Sequence, residues 1–169
     1  FITIDTEFIR EKTYWSQLCL IQVCSDDVEA IIDPLEEEID LTPFIKILNK
    51  KSVLKVLHSG RQDIEIFYKM SGKIPHPIFD TQVAAMVCGF GDSVGYEKLV
   101  DKILKKKIDK SSRFSNWAKR PLTKQQLQYA IGDVTHLYEI YPILNNKLKE
   151  KKRTKWLNEE LRVLTSEDT

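Results

Sequence analysis

The first residues of the chain alternate between apolar and polar side chains with the two-residue period of a β-strand. Over residues 1–8, Ile4 and Phe8 fall on one face, whereas Asp5 and Glu7 fall on the other. The alternation predicts a strand that carries two acidic side chains on the same face.

Two further runs rich in β-forming residues follow, over residues 17–24 and 28–33. The polar residues 25–27 that separate them have the length of a hairpin turn. Three early strands joined by short connections predict an antiparallel meander.

The middle of the chain mixes a short strand with helices. Thr42 followed by Pro43 predicts a helix capped by the threonine, because proline is tolerated in the first helical turn. Residues 53–57 predict a short strand, and residues 62–70 predict an amphipathic helix. From Phe79 onward the pattern is mostly helical.

The later part of the chain carries signals for helix starts. We expect Asp80 to cap the helix that follows it rather than to bind a metal. Thr123 is expected to begin the longest helix, with Gln126 as its capping-box partner. That helix is predicted to run to about Lys152, with a kink at Pro142.

A last helix is predicted over residues 156–164. Strands come first, then a strand alternates with helices, and then helices follow alone. This order predicts an α/β fold with a mixed central sheet.

Composition limits the class of protein. The 169 residues suffice for one domain, and 42% apolar with 30% charged residues is typical of a globular protein. The longest apolar run, residues 83–88, is too short to span a bilayer, and no apolar leader opens the sequence. Cys19, Cys24 and Cys88 lack metal-binding spacing, which favours buried free thiols in a reducing compartment. We therefore expect a cytoplasmic protein and, because Phe1 rather than Met begins the first strand, part of a longer chain.

Charge is distributed unevenly along the chain. Residues 1–48 contain three basic and eleven acidic side chains, a net of −8, whereas residues 101–155 contain fifteen basic and five acidic, a net of +10. This asymmetry suits a protein that gathers cations at one place and binds a polyanion around it. Two solvated faces of opposite sign explain the same numbers equally well.

Asp5 and Glu7 become informative if their strand is central. Two carboxylates close together in a core are costly unless a cation neutralises them, and Mg²⁺ and Mn²⁺ prefer such oxygen ligands. An edge strand with an acidic outer face is the alternative. Asp63, in the first turn of the predicted helix after the strand at 53–57, is favoured there by the helix dipole alone.

Tyr129 and Asp133 lie four residues apart, and therefore on one face of the long predicted helix. Asp133 and the adjacent Gly132 are unfavourable choices inside a helix, which hints at a functional role. An ordinary tyrosine and a surface acid are the alternative interpretation.

These acids and the tyrosine, in the order Asp-x-Glu, Asp, Tyr-x-x-x-Asp, resemble the DEDD exonuclease superfamily and its DEDDy branch. Five blocks of the chain are similar to ribonuclease D: IDTEF at 4–8, WSQLCLIQ at 15–22, HSGRQD at 58–63, FDTQ at 79–82 and NWAKRPL at 116–122. The resemblance covers nearly the whole chain. It implies a ribonuclease H-like α/β fold, with a mixed sheet of five to six strands flanked by helices.

The resemblance also divides the chain. It implies that residues 1–152 form the 3′-5′ exonuclease domain. Residues 153–169 would then form a closing helix and the start of a linker to helical C-terminal domains outside this sequence, and a short family member without those domains is the alternative.

By the same resemblance, we expect a metal-dependent exoribonuclease that removes nucleotides from RNA 3′ ends, such as those of tRNA precursors, as nucleoside 5′-monophosphates. The family implies two cations, Mg²⁺ or Mn²⁺. Asp5 would bridge them, Glu7 and Asp133 would complete the site of the attacking water, Asp63 would support the second site, and Tyr129 would orient the water.

Substrate contacts are expected mainly from the family-like blocks. The candidates are Thr6, Phe8, Trp15, Gln17, Gln22, His58, Arg113, Trp117 and Arg120. Arg113 and Arg120 would neutralise phosphates, and an aromatic such as Trp117 would stack on a base. Helix packing is the alternative role for Trp117, and a hydrogen bond at a strand end is the alternative for His58.

Three other functions stay open at this point. The same fold could serve as a proofreading-type 3′-5′ DNA exonuclease, as a non-catalytic RNA-binding module, or as a structural domain whose acids coincide by chance. The module would be expected to have a broken acid set, whereas all four acids are present here. The expected partner is RNA with a 3′ end, bound by a monomer that needs neither a membrane nor an obligatory protein partner.

Overall fold

The computed structural model describes residues 1–10 and 15–166 of the chain. Within these ranges, three strands come first, helices and strands then alternate, and the last four elements are helices. The elements in chain order are β1 (Ile2–Ile9), β2 (Gln17–Cys24), β3 (Glu29–Ile32), α1 (Thr42–Leu48), β4 (Lys55–Leu57), α2 (Arg61–Ser71), β5 (Ile78–Asp80), α3 (Thr81–Val87), α4 (Tyr96–Leu104), α5 (Lys124–Glu150) and α6 (Thr154–Leu164).

The five strands form one mixed sheet in the order β3-β2-β1-β4-β5. Strands β1, β2 and β3 pair antiparallel, whereas β4 pairs parallel to β1 and β5 parallel to β4. The predicted mixed sheet with an antiparallel start is confirmed. Because β1 is the central strand, an acidic outer face on an edge strand is excluded for Asp5 and Glu7.

Helices cover both faces of the sheet. Helix α5 packs against β1, β2 and β3, and the Thr3 hydroxyl of β1 donates a 2.7 Å hydrogen bond to the Val134 carbonyl of α5. On the other face, Ile4 and Ile21 of the sheet share a buried cluster with Phe67 of α2. The first strand is therefore held between α5 and α2, and each helix brings side chains to it.

The start of α5 follows the predicted capping box. The Gln126 backbone N–H donates to the Thr123 hydroxyl at 3.1 Å, and the Thr123 N–H donates to the Gln126 side-chain oxygen at 2.9 Å. The helix contains Pro142, as expected, and ends at Glu150, two residues before the predicted end.

Two local predictions were wrong. Leu41, not Thr42, occupies the N-cap position of α1 and gives the helix no side-chain hydrogen bond, and the Thr42 N–H donates to the Asp40 side chain at 2.9 Å. Strand β5 lies at the start of the region predicted to be mostly helical. Three residues are too few to show a period, and pairing with β4 creates this strand.

The predicted capping of α3 by Asp80 is confirmed, because the Asp80 side chain accepts a hydrogen bond from the Gln82 N–H at 2.8 Å.

The last helix belongs to the same core. Helix α6 contacts α3 and β5, and its Leu157 is buried in a cluster with Leu144 and Leu148 of α5. None of the helices in the described ranges combines the length and apolarity needed to cross a bilayer. The three cysteines, Cys19, Cys24 and Cys88, are buried and free, as predicted.

Candidate active site

Three carboxylates converge between the central strand and the long helix. Asp5 and Glu7 project from β1 toward α5, and Asp133 of α5 meets them. One oxygen of each carboxylate lies within 4.8 Å of one oxygen of both others. Asp133 is only 6% exposed, so this acidic cluster is largely withdrawn from water.

Asp63 approaches the cluster from the other side of β1. It lies in the first turn of α2, and its carboxylate accepts a 2.5 Å hydrogen bond from the Thr6 hydroxyl. Its negative charge contributes to the raised pKa of both Asp5 and Glu7. Asp63 is therefore an electrostatic neighbour of the three converging carboxylates, and its role as a ligand stays a prediction.

The carboxylates of this site are held in an environment that opposes their ionisation. Burial is the main cause, and the neighbouring acids add to it: the pKa of Asp5 is raised well above its usual value, and that of Glu7 to about 8. Burial also raises the pKa of Asp133 to about 7 and that of Asp63 to about 6. Such a group of hard oxygen donors fits a divalent cation, which removes the cost of their charges.

Tyr129 lies one helical turn before Asp133, both residues line the same cleft, and the nearby Tyr129 hydroxyl lowers the pKa of the Asp133 carboxyl. Burial and the nearby acids raise the pKa of Tyr129, so its hydroxyl stays protonated at neutral pH. Tyr129 can therefore orient a neighbouring group by hydrogen bonding, but it is not suited to act as a general base.

A cleft of about 630 Å³ opens over the acidic cluster. Among the predicted substrate residues, Phe8, His58 and Arg113 line this cleft. The His58 ring nitrogen Nδ1 is hydrogen-bonded to the Thr81 hydroxyl at 2.9 Å, which is the strand-end hydrogen bond considered as its alternative role. Thr6 is buried, and its hydroxyl donates a hydrogen bond to the Asp63 carboxylate.

The cleft also contains residues that the sequence did not single out. Tyr96, the first residue of α4, donates through its hydroxyl to the backbone carbonyl of Asp133, and its ring packs edge-on against His58. Lys98 and Lys110 line the same cleft. Lys110 belongs to the basic part of the chain, residues 101–155, so charge could have indicated it. Lys98 lies just before that part, and no local pattern distinguishes Tyr96.

Three predicted substrate residues have structural positions instead. Gln22 is 0% exposed and lies directly opposite Asp5 in the sheet, so RNA cannot reach it. Trp117 is 2% exposed and packs against Tyr129 with ring centroids 6.1 Å apart. Its alternative role in packing is therefore the one observed.

Arg120 is the third predicted substrate residue that has a structural position. Its guanidinium forms two hydrogen bonds to the Asp33 carboxylate, at 2.5 and 2.7 Å, and a third to the Cys19 carbonyl at 2.8 Å. These contacts join the segment before α5 to the end of β3 and hold the pKa of Asp33 below its usual value. The guanidinium N–H groups of Arg120, which were expected to contact phosphates, are thus hydrogen-bonded within the protein.

Trp15 and Gln17 lie elsewhere. They line a groove of about 330 Å³ beside Lys69 and Met70 of α2, separate from the acidic cleft. The structure does not bring these two predicted substrate residues to the site.

The chain matches known proteins over nearly its full length. A family model described as a 3′-5′ exonuclease matches residues 1–149. Ribonuclease D of Jannaschia sp. is 54% identical over 172 residues, an alignment that covers 99% of this chain and 45% of the relative. The chain thus spans less than half the length of the curated relatives it matches.

Solved structures show the same likeness. The crystal structure of Escherichia coli RNase D, described as an exoribonuclease involved in structured RNA processing, is 36% identical, with a TM-score of 0.92 over 97% of this chain and 44% of that one. Brucella melitensis NrnC with bound Mg²⁺ is 26% identical, with a TM-score of 0.84 over 97% of this chain and 81% of that one. NrnC has also been solved bound to pGG, at 28% identity, covering 97% of this chain and 80% of that one with a TM-score of 0.85. The predicted likeness to ribonuclease D and the predicted ribonuclease H-like fold are confirmed.

Proposed function

Because the chain belongs to the 3′-5′ exonuclease family, we propose that it removes nucleotides one at a time from the 3′ end of RNA and releases nucleoside 5′-monophosphates. The observation that carries the proposal is the convergence of Asp5, Glu7 and Asp133 within 4.8 Å, with Tyr129 lining the same cleft. The names of the ribonuclease D relatives support RNA as the substrate class. Precursors of tRNA are the RNA that the family resemblance suggests.

In our proposal, two divalent cations, Mg²⁺ or Mn²⁺, bind to the acidic residues of this site. Asp5, Glu7 and Asp133 would hold one, and Asp5 with Asp63 would support the other. When bound, two such ions lower the pKa of an attacking water and neutralise the charge that develops on the scissile phosphate. The donor set fits them, because four crowded carboxylates with raised pKa values are stabilised by positive charge.

The chain itself supplies orientation and charge around the phosphate. Tyr129, protonated and lining the cleft one helical turn from Asp133, orients the attacking water by hydrogen bonding rather than by taking its proton. Arg113, Lys98 and Lys110 line the cleft and attract the phosphates of the RNA strand. In our proposal, backbone groups of Thr6 and Phe8 hold the terminal sugar.

We also infer the cellular location and the oligomeric state of the protein. Three buried free thiols suit a reducing compartment, so we infer a cytoplasmic location. We also propose that the domain acts as a monomer, which its elution volume in gel filtration would test.

The test uses a 5′-labelled single-stranded RNA and a DNA of the same sequence. We expect a ladder of RNA products shortened by single nucleotides, which requires Mg²⁺ or Mn²⁺ and stops in EDTA. Asp5→Ala should abolish the ladder while leaving the folded structure intact by circular dichroism, and the exposed hairpin variant Asp27→Asn serves as control. Normal turnover by Asp5→Ala would refute the assignment, and faster loss of DNA than of RNA would make the chain a DNA exonuclease.

A further inference from the structure

An exposed aromatic ring stands beside the cleft, in the segment between α4 and α5. Phe114 is 91% exposed, a larger fraction than for any other large apolar side chain in the described ranges. Single exposed apolar residues are common and need no explanation. Phe114 differs because of the contacts and the charges that surround it.

The turn that carries Phe114 is anchored on both sides. Ser112 is buried, Trp117 is buried against Tyr129, and the Ser115 N–H donates to the Ser112 carbonyl at 3.0 Å. The Gln125 side chain of α5 also donates to the Ser111 hydroxyl at 2.5 Å. The ring is therefore presented to solvent from a fixed base, which reduces the entropy lost when a ligand contacts it.

Arg113 connects this ring to the acidic cluster. Its guanidinium carbon lies 5.4 Å from the centroid of the Phe114 ring, in cation–π contact. Arg113 also lines the cleft, and its positive charge lowers the pKa of both Glu7 and Asp133. A strand whose 3′ end lies at the acids and whose phosphates contact Arg113 would therefore pass next to Phe114.

The charges around Phe114 indicate which class of ligand the ring binds. Lys105 and Lys107 are exposed in the same segment, Lys98 lines the cleft, and Lys110 lines it in an ion pair with Glu97. An aromatic ring among cations is the arrangement that binds single-stranded nucleic acid, because the cations contact the backbone and a base stacks on the ring. An apolar protein segment would gain nothing from these lysines.

We propose that Phe114, with Arg113 beneath it, is a stacking platform for a nucleobase of the RNA strand upstream of the nucleotide being removed. This inference rests on the proposed function. The platform gives affinity without sequence readout, since every base has a π-face. It takes the stacking role expected for Trp117, which the fold uses for packing.

The experiment compares Phe114→Ala and Phe114→Trp with the wild-type chain. A matched control is Trp156→Ala, because Trp156 is also exposed, at 56%, and also lies in cation–π contact, with Arg153 at 5.2 Å, but on α6 and outside the cleft. Binding of labelled single-stranded RNA is measured by fluorescence anisotropy in EDTA, and KM and kcat are measured separately in Mg²⁺. Thermal melting verifies that each variant is folded.

Base–aromatic stacking of about 1–3 kcal/mol predicts a roughly 5- to 150-fold loss of RNA affinity in Phe114→Ala, seen in KM more than in kcat. Phe114→Trp should restore binding, and Trp156→Ala should match the wild type. A series of RNAs with one abasic site identifies the stacked nucleotide, because the site that weakens wild-type binding should not weaken Phe114→Ala further.

The outcomes separate the platform from the proposed function. Cleavage with an unchanged affinity in Phe114→Ala would overturn the platform and leave the exonuclease standing. Absence of cleavage together with Phe114-dependent RNA binding would refute the exonuclease and support the platform. An equal loss in Trp156→Ala would show general attraction between RNA and exposed aromatics, and would also overturn the proposal.

Discussion

Replacing Asp133 by asparagine should stabilise the metal-free protein, although the same change should destroy its metal site. Asp133 is buried beside Asp5 and Glu7, and burial raises its pKa from 3.8 to about 7. An asparagine of nearly the same shape carries no charge. Its side-chain oxygen can still accept a hydrogen bond from a nearby donor such as the Tyr129 hydroxyl.

The magnitude follows from the pKa of Asp133. Each pKa unit corresponds to about 1.4 kcal/mol, so the ionised carboxylate costs the folded state about 4 kcal/mol relative to the unfolded chain above pH 7. Between pH 4 and 7 the folded protein keeps a proton that the unfolded chain releases, so the stability of the wild type falls as pH rises. The advantage of Asp133→Asn should therefore grow from about 2 kcal/mol at pH 5 to about 4 kcal/mol at pH 8.5.

Urea unfolding, followed by circular dichroism in EDTA at both pH values, measures this difference. Mn²⁺ at 100 times its dissociation constant should then stabilise the wild type by about 2.7 kcal/mol and leave the variant nearly unchanged. Asp101→Asn, which replaces an exposed acid of α4, is the control and should change stability by less than about 0.5 kcal/mol. A variant less stable than the wild type in EDTA at pH 8.5, or a gap that does not depend on pH, would refute the picture of crowded, destabilised carboxylates.

Three further outcomes are expected. Tyr129→Phe should lower kcat at least about tenfold by removing an orienting hydrogen bond, with little change in Mn²⁺ affinity by calorimetry; an equal loss in both would make Tyr129 a support of the metal site. Mn²⁺ affinity should rise between pH 6 and 8.5, because protons compete with the metal for Glu7 and Asp133, whose pKa values are about 8 and 7; a flat profile would contradict this. Arg120→Lys should lower the free energy of unfolding by about 1.5–3 kcal/mol, since lysine cannot make the paired hydrogen bonds to Asp33, and unchanged urea denaturation would show that this contact is unimportant.

Local spacing alone predicted much of the candidate site. A period of two places Asp5 and Glu7 on one face of a strand, and a spacing of four places Tyr129 and Asp133 on one face of a helix, in any fold that contains those elements. The same holds for the capping box at Thr123, because both of its hydrogen bonds lie within four residues. These features depend on backbone geometry over a few residues, and the sequence carries that information directly.

Features that depend on distant segments could not be obtained in this way. Strand β5 exists because three residues pair with β4. Leu41 occupies the N-cap position of α1, although the hydroxyl of Thr42 favoured Thr42 for that position. Arg120 was expected to face RNA, but Asp33, 87 positions away, accepts its hydrogen bonds. An arginine has the same donors toward a phosphate as toward a carboxylate, so only the partner within reach distinguishes the two roles.

Trp117 and Phe114 show the same limit within one short segment. Both are aromatic and both lie close to basic residues, yet Trp117 is 2% exposed and Phe114 is 91% exposed. The residue types and their spacing established that acids, a tyrosine, aromatics and cations were available for chemistry on a polyanion. Which aromatic faces solvent, and which carboxylates come within reach of one ion, depends on how α5 and the segment before it pack on the sheet, because burial arises from contacts between parts of the chain that are far apart in sequence.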